Sequence, residues 1–211
     1  AGAGRTDTGV HARGQVIAFD ACATHSTETF VRAINFYLPG EISLREAYRT
    51  PPGFDPRRDA CSRRYRYSIL NSATPSPLLR RTAYLLEHQL DVGKMQEAAR
   101  LLVGRHDFRR FSGAMSHDGA STVREIYSAS VCRSREMVSF DVVGSSFLPH
   151  QVRRMAGSLV DVGRDRLSLE ELRQMVEEGA GERVANSLPA HGLCLIEVTY
   201  ADFPPADGDK S

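Results

Sequence analysis

The stretch "GAGRTDTGVHARGQV" runs from residue 2 to residue 16. It sets one acid, Asp7, between two threonines, two residues after Arg5, with glycines at positions 2, 4, 9 and 14 around it. A phosphate-binding P-loop needs Gly-Lys-Ser/Thr after four spacers, and this stretch has no lysine. A dinucleotide fingerprint needs G-x-G-x-x-G. Gly2 and Gly4 fit it, but the third glycine position falls on Asp7, whose charge would repel a pyrophosphate. What remains is a glycine-bracketed acid. Its carboxylate either bonds backbone amides in a turn or is held there for chemistry, and these residues alone leave both readings open.

The rest of the chain bounds the answer. Its 211 residues suffice for one large domain or two small ones with real cores. Apolar content of 41% and charged content of 25% are ordinary for a globular protein. The apolar runs are too short to span a bilayer, and no basic-then-apolar leader appears. A cytoplasmic protein with no membrane partner is the expectation. The cysteines at 22, 61, 132 and 194 are scattered, with no C-x-x-C pair. They argue against a structural zinc site and a disulfide framework, and read as reduced, mostly buried thiols. No cofactor motif is present.

Net charge is only +1, yet the bases are distinctive: of 27, all but Lys94 and Lys210 are arginine. Guanidinium forks suit phosphate and carboxylate recognition, although compositional bias produces the same excess. The densest cluster, "RRDACSRRYR" (57–66), holds Arg57, Arg58, Arg63, Arg64 and Arg66 against one acid, with Tyr65 and Tyr67 interleaved at its end. Basic side chains mixed with rings fit single-stranded or flipped nucleotides, as they would a solvated strand face.

Periodicity predicts strands at 15–20, 41–49, 62–70, 122–132, 136–145 and 193–201, and helices at 26–38, 91–108, 149–163 and 168–179. In "SRRYRYSIL" (62–70), Arg63, Tyr65, Tyr67 and Ile69 share one face. Ser26 or Thr27 is the expected cap of the first helix, with Phe30, Ile34, Tyr37 and Leu38 on its apolar face. Asp91 is the expected cap of the second helix, with Met95, Ala98, Leu101 and Leu102 facing inward. Pro149 is expected inside the first turn of the third helix. Ser168 and Glu171 form a capping box, and Gly179 ends that helix. "PPGFDP" (51–56) reads as a turn-rich hinge, Phe108 and Phe111 as core, and 204–211 as a loose tail. The mixture without strict alternation implies α+β architecture with helices on one sheet face.

Five segments, in order, give a family resemblance. "GAGRTDTGVHARGQV" resembles the catalytic motif of the tRNA pseudouridine synthase A (TruA) family. "ACSRRYRYSIL" (60–70) is similar to its second motif, "GRHDFRRFSGA" (104–114) to its Asp-Phe…Phe stretch, "GSSFLPHQVRRMAGSLVDVG" (144–163) to its arginine segment, and "AHGLCLIEVTY" (190–200) to its closing strand. The resemblance implies two mixed or antiparallel sheet subdomains with a central RNA-binding cleft. A catalytic subdomain would cover 1–55, an α+β subdomain 56–203, and the tail 204–211.

It also implies roles. Asp7 falls on the catalytic aspartate, and Arg5 on the arginine that contacts RNA and keeps the target base out of the stack. Tyr65 falls on the tyrosine that stacks on flipped uracil, Arg153 on the arginine that pairs with the aspartate, and Leu193 on a leucine of the pocket wall. Arg57, Arg58, Arg63 and Arg64 are candidate RNA contacts. The implied reaction is the isomerisation of uridine to pseudouridine in the tRNA anticodon stem-loop, at tRNA positions 38–40 in the family's usual substrate. No cofactor or metal is expected, and the partners are tRNA and a second copy of the chain in a homodimer.

An aspartate with a reference pKa near 3.9 is ionised at neutral pH and needs only orientation, which a bidentate arginine would provide. His11 and His150 lie near these motifs and read as structural or RNA-adjacent, since the chemistry needs no imidazole. Family members carry a strand and a helix ahead of the catalytic motif. The expectation is therefore a chain truncated at its N-terminus, with exposed apolar surface in the first subdomain. A non-catalytic RNA-binding fragment is the alternative from another functional class.

Overall fold

A computed structural model describes residues 1–113, 121–177 and 185–201. The expected tail at 204–211 and the stop at Gly179 lie outside the described residues. The chain divides into two compact units: Ala1–Gly4, Val16–Cys61 and the chain from Thr199 form the smaller, Arg5–Gln15 and Ser62–Val198 the larger.

The larger unit is built on one open mixed sheet. Its strands are β1 (His11–Ala12), β2 (Ala60–Leu70), β3 (Tyr84–Leu85), β4 (Gly104–Asp107), β5 (Val123–Ser134), β6 (Met137–Gly144) and β7 (Leu193–Tyr200). The order is β1-β7-β2-β6-β5-β4, with β3 parallel to β2 off that path. β1 and β7 are parallel, whereas the β2–β6, β6–β5 and β5–β4 pairs are antiparallel. Side chains alternate as a pleated strand requires. Arg63, Tyr65, Tyr67 and Ile69 of β2 are buried, while Ser62, Arg64, Arg66 and Ser68 stay half-buried on the opposite face.

Two helices there are α2 (Val92–Leu101) and α3 (Gln151–Gly163), followed by α4 (Leu169–Glu177); α1 (Thr27–Tyr37) belongs to the smaller unit. Met95, Ala98 and Leu102 join Tyr67, Phe140, Met155, Leu159, Leu172 and the fully buried Phe108 and Phe111 in one core. Asp91 caps α2 by accepting from Lys94 N. The Ser168 box closes in both directions, Glu171 N donating to Ser168 Oγ at 3.1 Å and Ser168 N to Glu171 Oε2 at 2.7 Å.

Three sequence expectations change here. The helix predicted over 91–108 ends at 101, because Gly104 takes φ 115°, closed to most side chains, and 104–107 then pair with β5. Pro149 stands before α3 rather than inside it, and His150 is the residue flanking the helix start. Of the four cysteines, Cys22, Cys61 and Cys132 are exposed rather than buried, and all four are free.

In the smaller unit, Ser26 caps α1 and accepts from Thr29 N. The segment 15–20 is not a strand: Ile17 makes a single bridge with Gly2. Nor is 41–49. Leu44 spends its backbone on the Asn35 side chain, which accepts from Leu44 N at 2.7 Å and donates to Leu44 O at 2.8 Å, imitating a neighbouring strand. Tyr37, expected on the apolar face of α1, is 84% exposed and lies edge-on to the equally exposed Phe36. The hinge segment ends in a turn where Asp55 Oδ1 accepts from Arg57 N and Arg58 N. Tyr200 donates to Pro56 O at 2.7 Å.

Close approach fixes one glycine of the larger unit. A Cβ on Gly157, inside α3, would lie 2.1 Å from the backbone oxygen of Asn186. Alanine normally gains about 1 kcal/mol over glycine within a helix. Here overpacking reverses the sign, so Gly157→Ala is expected to destabilise by about 1–3 kcal/mol. Urea unfolding with a lowered midpoint and unchanged slope is the expected result; a raised midpoint would contradict this packing.

Candidate active site

Asp7 opens a four-residue turn. Val10 N donates to Asp7 O at 3.0 Å, and Gly9 at the third position takes φ 85°, as a type II turn demands. The chain then enters β1, where His11 and Ala12 register with Cys194 and Leu195 of β7, and Arg13 N donates to Leu195 O at 2.7 Å. Gly14 packs so closely on β7 that a Cβ there would stand 2.5 Å from Ile196 O. The His11 ring lies against the Arg81 carbonyl. The acid loop is thus laid along β7, and the backbone rather than the carboxylate closes the turn: Asp7 O accepts from Val10 N while the side chain leaves the turn, so the expectation of a carboxylate bonded to backbone amides does not hold.

That side chain meets α3. Arg153 Nη1 donates to Asp7 Oδ2 at 2.7 Å. The contact has one arm, not the two-pronged fork expected from sequence, because Arg153 Nε is committed to Leu188 O at 2.7 Å. Leu188 N in turn donates to Arg153 O. The Arg153 side chain is 15% exposed and that of Asp7 33% exposed, so the pair is partly shielded from water and open on one side. Arg154, its neighbour, points elsewhere, donating through Nη1 to Ala185 O. Burial and the adjacent Arg153 charge lower its pKa from the ordinary arginine value.

A third group joins them. His150 Nδ1 lies 3.2 Å from Asp7 Oδ2 and 3.1 Å from Arg153 Nη1. Sequence reading set this histidine aside as structural or RNA-adjacent. The available signal was its spacing: a residue three before an arginine on a helix shares that arginine's face.

Tyr65 comes from β2 on the face turned toward the helices. It is 9% exposed and edge-on to Phe147, with ring centroids 5.2 Å apart. Burial raises its phenol pKa above the ordinary value; the Arg63 charge opposes that and the Asp7 charge adds to it. Leu193 is buried at the head of β7, in the same apolar cluster as Tyr65, Leu148 and Val152. Below it, Tyr67 is fully buried and donates to Pro189 O at 2.8 Å.

The basic candidates separate. Arg5 is exposed beside the acid loop. Arg63 is buried and donates to Ser145 O at 2.7 Å. Arg64 and Arg66 lie on the opposite sheet face and share the Asp141 carboxylate. Arg57 and Arg58 belong to the smaller unit, where the Arg58 side chain is 87% exposed. The structure therefore gathers Asp7, Arg153 and His150 by direct contact and sets Tyr65 close enough to feel the Asp7 charge. Within the larger unit Arg63 lies on one sheet face and Arg64 and Arg66 on the other. Chemically, the centre offers a carboxylate held through one oxygen by a cation, in a partly dry site.

The family model described as tRNA pseudouridine synthase matches residues 98–201. A tRNA pseudouridine synthase A of Syntrophotalea carbinolica is 42% identical over 205 residues, covering 97% of this chain and 81% of that protein. The Myxococcus xanthus protein of the same name is also 42% identical, over 98% of this chain and 78% of its own. That of Neisseria gonorrhoeae is 40% identical over 98% and 76%. Likeness of this depth along nearly the whole sequence places the chain in one family: it belongs to the tRNA pseudouridine synthases A.

Proposed function

We propose that the protein isomerises uridine to pseudouridine in tRNA, with Asp7 as the catalytic carboxylate. The observation that carries this is the Asp7–Arg153 contact, which brings the motif acid and the motif arginine together across 146 residues. The reaction breaks the N1–C1′ bond, turns the base and forms a C5–C1′ bond; C5 loses a proton and N1 gains one. Atoms and electrons balance without any redox partner. Asp7 supplies the one group the sugar step requires, a carboxylate acting as nucleophile or base without prior activation. Arg153 orients it. Tyr65 contributes the ring against which a flipped uracil stacks, returning about 1–3 kcal/mol of the few that unstacking costs. Leu193 walls that pocket, and Arg5 holds RNA beside the acid.

The finer reading belongs to the same proposal. The substrate is a uridine of the anticodon stem-loop, at tRNA positions 38–40. The RNA lies in an arginine-lined cleft that uses some of Arg57, Arg58, Arg63 and Arg64, with division of labour between a 1–55 and a 56–203 subdomain. The enzyme works as a homodimer in the cytoplasm. Among the described residues no helix is long and apolar enough to cross a membrane.

Incubation with transcribed tRNA followed by nucleoside analysis tests this directly. Pseudouridine is expected, and binding without product would favour the non-catalytic fragment instead. Asp7→Asn is expected to abolish turnover while tRNA affinity and the unfolding midpoint hold. Arg153→Ala should cost roughly 10²-fold in kcat, because a carboxylate left to swing is mispositioned. Arg154→Ala should cost far less rate and act mainly on stability. Equal rate losses in the two variants would remove Arg153 from the proposed role.

Binding should be salt-dependent. Log affinity should fall with log salt at roughly 0.7 to 0.9 per neutralised phosphate. Arg5→Ala should flatten that slope by about one and weaken all RNAs alike. Affinity insensitive to ionic strength would mean that the arginine excess is compositional.

A further inference from the structure

We infer that Tyr67 is a positioning residue for the Asp7–Arg153 pair: its hydroxyl holds the Pro189 carbonyl, and with it the segment 188–190 against which both members of the pair lean. The inference rests on the proposed role of Asp7 and extends it to a group that touches neither the acid nor the substrate.

The segment sits between the two halves of the site. Leu188 O accepts from Arg153 Nε at 2.7 Å, and Leu188 N donates to Arg153 O at 3.3 Å. Two residues on, Ala190 backs the acid loop: a Cβ on Gly9, in the turn that presents Asp7, would lie 3.5 Å from Ala190 Cβ. Pro189 stands between them and has no N–H of its own to anchor it. Its carbonyl accepts from Tyr67 Oη at 2.8 Å. The residues just upstream turn back to α3, with Asn186 O pressed on Gly157 and Ala185 O accepting from Arg154 Nη1. Contacts of that kind travel with α3 and do not set its distance from the acid loop. Tyr67 belongs to β2, inside the sheet between β7 and β6, and supplies a fixed point outside the helix.

The hydroxyl is accommodated at some cost to its surroundings. Tyr67 is fully buried, and its ring alone fills the core as a phenylalanine would. A Cβ on Gly192 would stand 2.7 Å from Tyr67 Cζ and 2.9 Å from its Oη, so the oxygen is reached only because residue 192 has no side chain. Burial obliges a tyrosine hydroxyl to find some acceptor. The acceptor found here is the carbonyl next to the one that holds Arg153. Burial also raises the phenol pKa far above its ordinary value, against the opposing charge of Arg153, so the group stays a donor across the working pH range. Without the hydroxyl, 188–190 loses its tie to the sheet, and a shift of about 1 Å there displaces the arginine and the acid loop relative to each other.

Two readouts test this. The first needs no turnover, so it separates this inference from the catalytic role of Asp7. In spectra of protein labelled with ¹⁵N-arginine, the Arg153 Nε–H signal is assigned by its loss in Arg153→Ala. Tyr67→Phe should shift that signal and speed its exchange with water, because Leu188 O no longer stays in place. A signal unchanged in position and exchange rate overturns the inference whatever the enzyme does with tRNA.

The second readout is kinetic, taken well below the unfolding midpoint of each variant. Tyr67→Phe keeps the ring and deletes one oxygen. It should lower kcat roughly 10-fold and leave KM for tRNA within about twofold. In an Arg153→Ala background the same change should lose most of its effect on kcat, because the arginine it helps to place is gone. Gly192→Ala, which crowds the hydroxyl instead of deleting it, should follow the same pattern. A tyrosine that serves the core alone lowers the unfolding midpoint and leaves kcat as it was. A Tyr67→Phe enzyme as fast as the parent, or a loss that adds in full to that of Arg153→Ala, overturns the inference.

Discussion

Asp7 and Arg153 stand 146 residues apart in sequence and meet at 2.7 Å, and most of the larger unit's geometry around the site serves that meeting. The arginine is immobilised before it meets the acid. Its helix α3 is pinned to the 185–189 segment by the Leu188 carbonyl on Nε, by the reciprocal Leu188 amide, and by the Asn186 backbone pressed against Gly157. The acid is immobilised from the other direction, by a turn that needs a glycine at position 9 and by parallel pairing with β7. Neither side chain has much freedom left once its backbone is placed.

Half-burial sets what such a pair can contribute. With Asp7 one-third exposed, its attraction to Arg153 is screened, and the pair adds little net stability. Full burial would cost desolvation of both charges, and the attraction would repay it only with further hydrogen bonds. The intermediate environment gives the carboxylate's contact with the arginine direction and leaves one edge accessible. Orientation is the product of this arrangement more than stability. Tyr65 and Tyr67 are neighbours on the same strand face with different duties. Tyr67 is closed off, its hydroxyl bonded to Pro189 O. Tyr65 lies edge-on to Phe147, near enough to Asp7 for the charge to act on its phenol.

Features governed by local chemistry were legible in the sequence. The alternation of 62–70 gave the buried face of β2 residue by residue. Ser26, Asp91 and the Ser168–Glu171 box marked helix starts that the structure places there. Features governed by partners were not. The segments 15–20 and 41–49 have strand composition, but a strand is defined by its ladder, and Leu44 finds its partner in an asparagine side chain. Helical periodicity carried through Gly104 on paper, while in the fold the pull of β5 and a positive φ ended the helix. In the site, the acid and the arginine were recognisable from their motifs. The one-armed geometry was not, since it depends on a carbonyl 35 residues beyond Arg153. His150 was set aside as structural or RNA-adjacent; its spacing from Arg153 was visible, and its approach to Asp7 was not.

The pairing of β1 with β7 has a consequence for the order of assembly. A ribosome delivers the acid loop nearly two hundred residues before its docking strand, and the loop has no template over that interval. Closing so long a loop carries an entropic cost that only the final strand's contacts repay. The sheet order β2-β6-β5-β4, paired mostly between neighbours in sequence, can form ahead of it. The proposed catalytic centre is therefore a late part of the larger unit to form, and a nascent chain carries the acid loop undocked until β7 emerges.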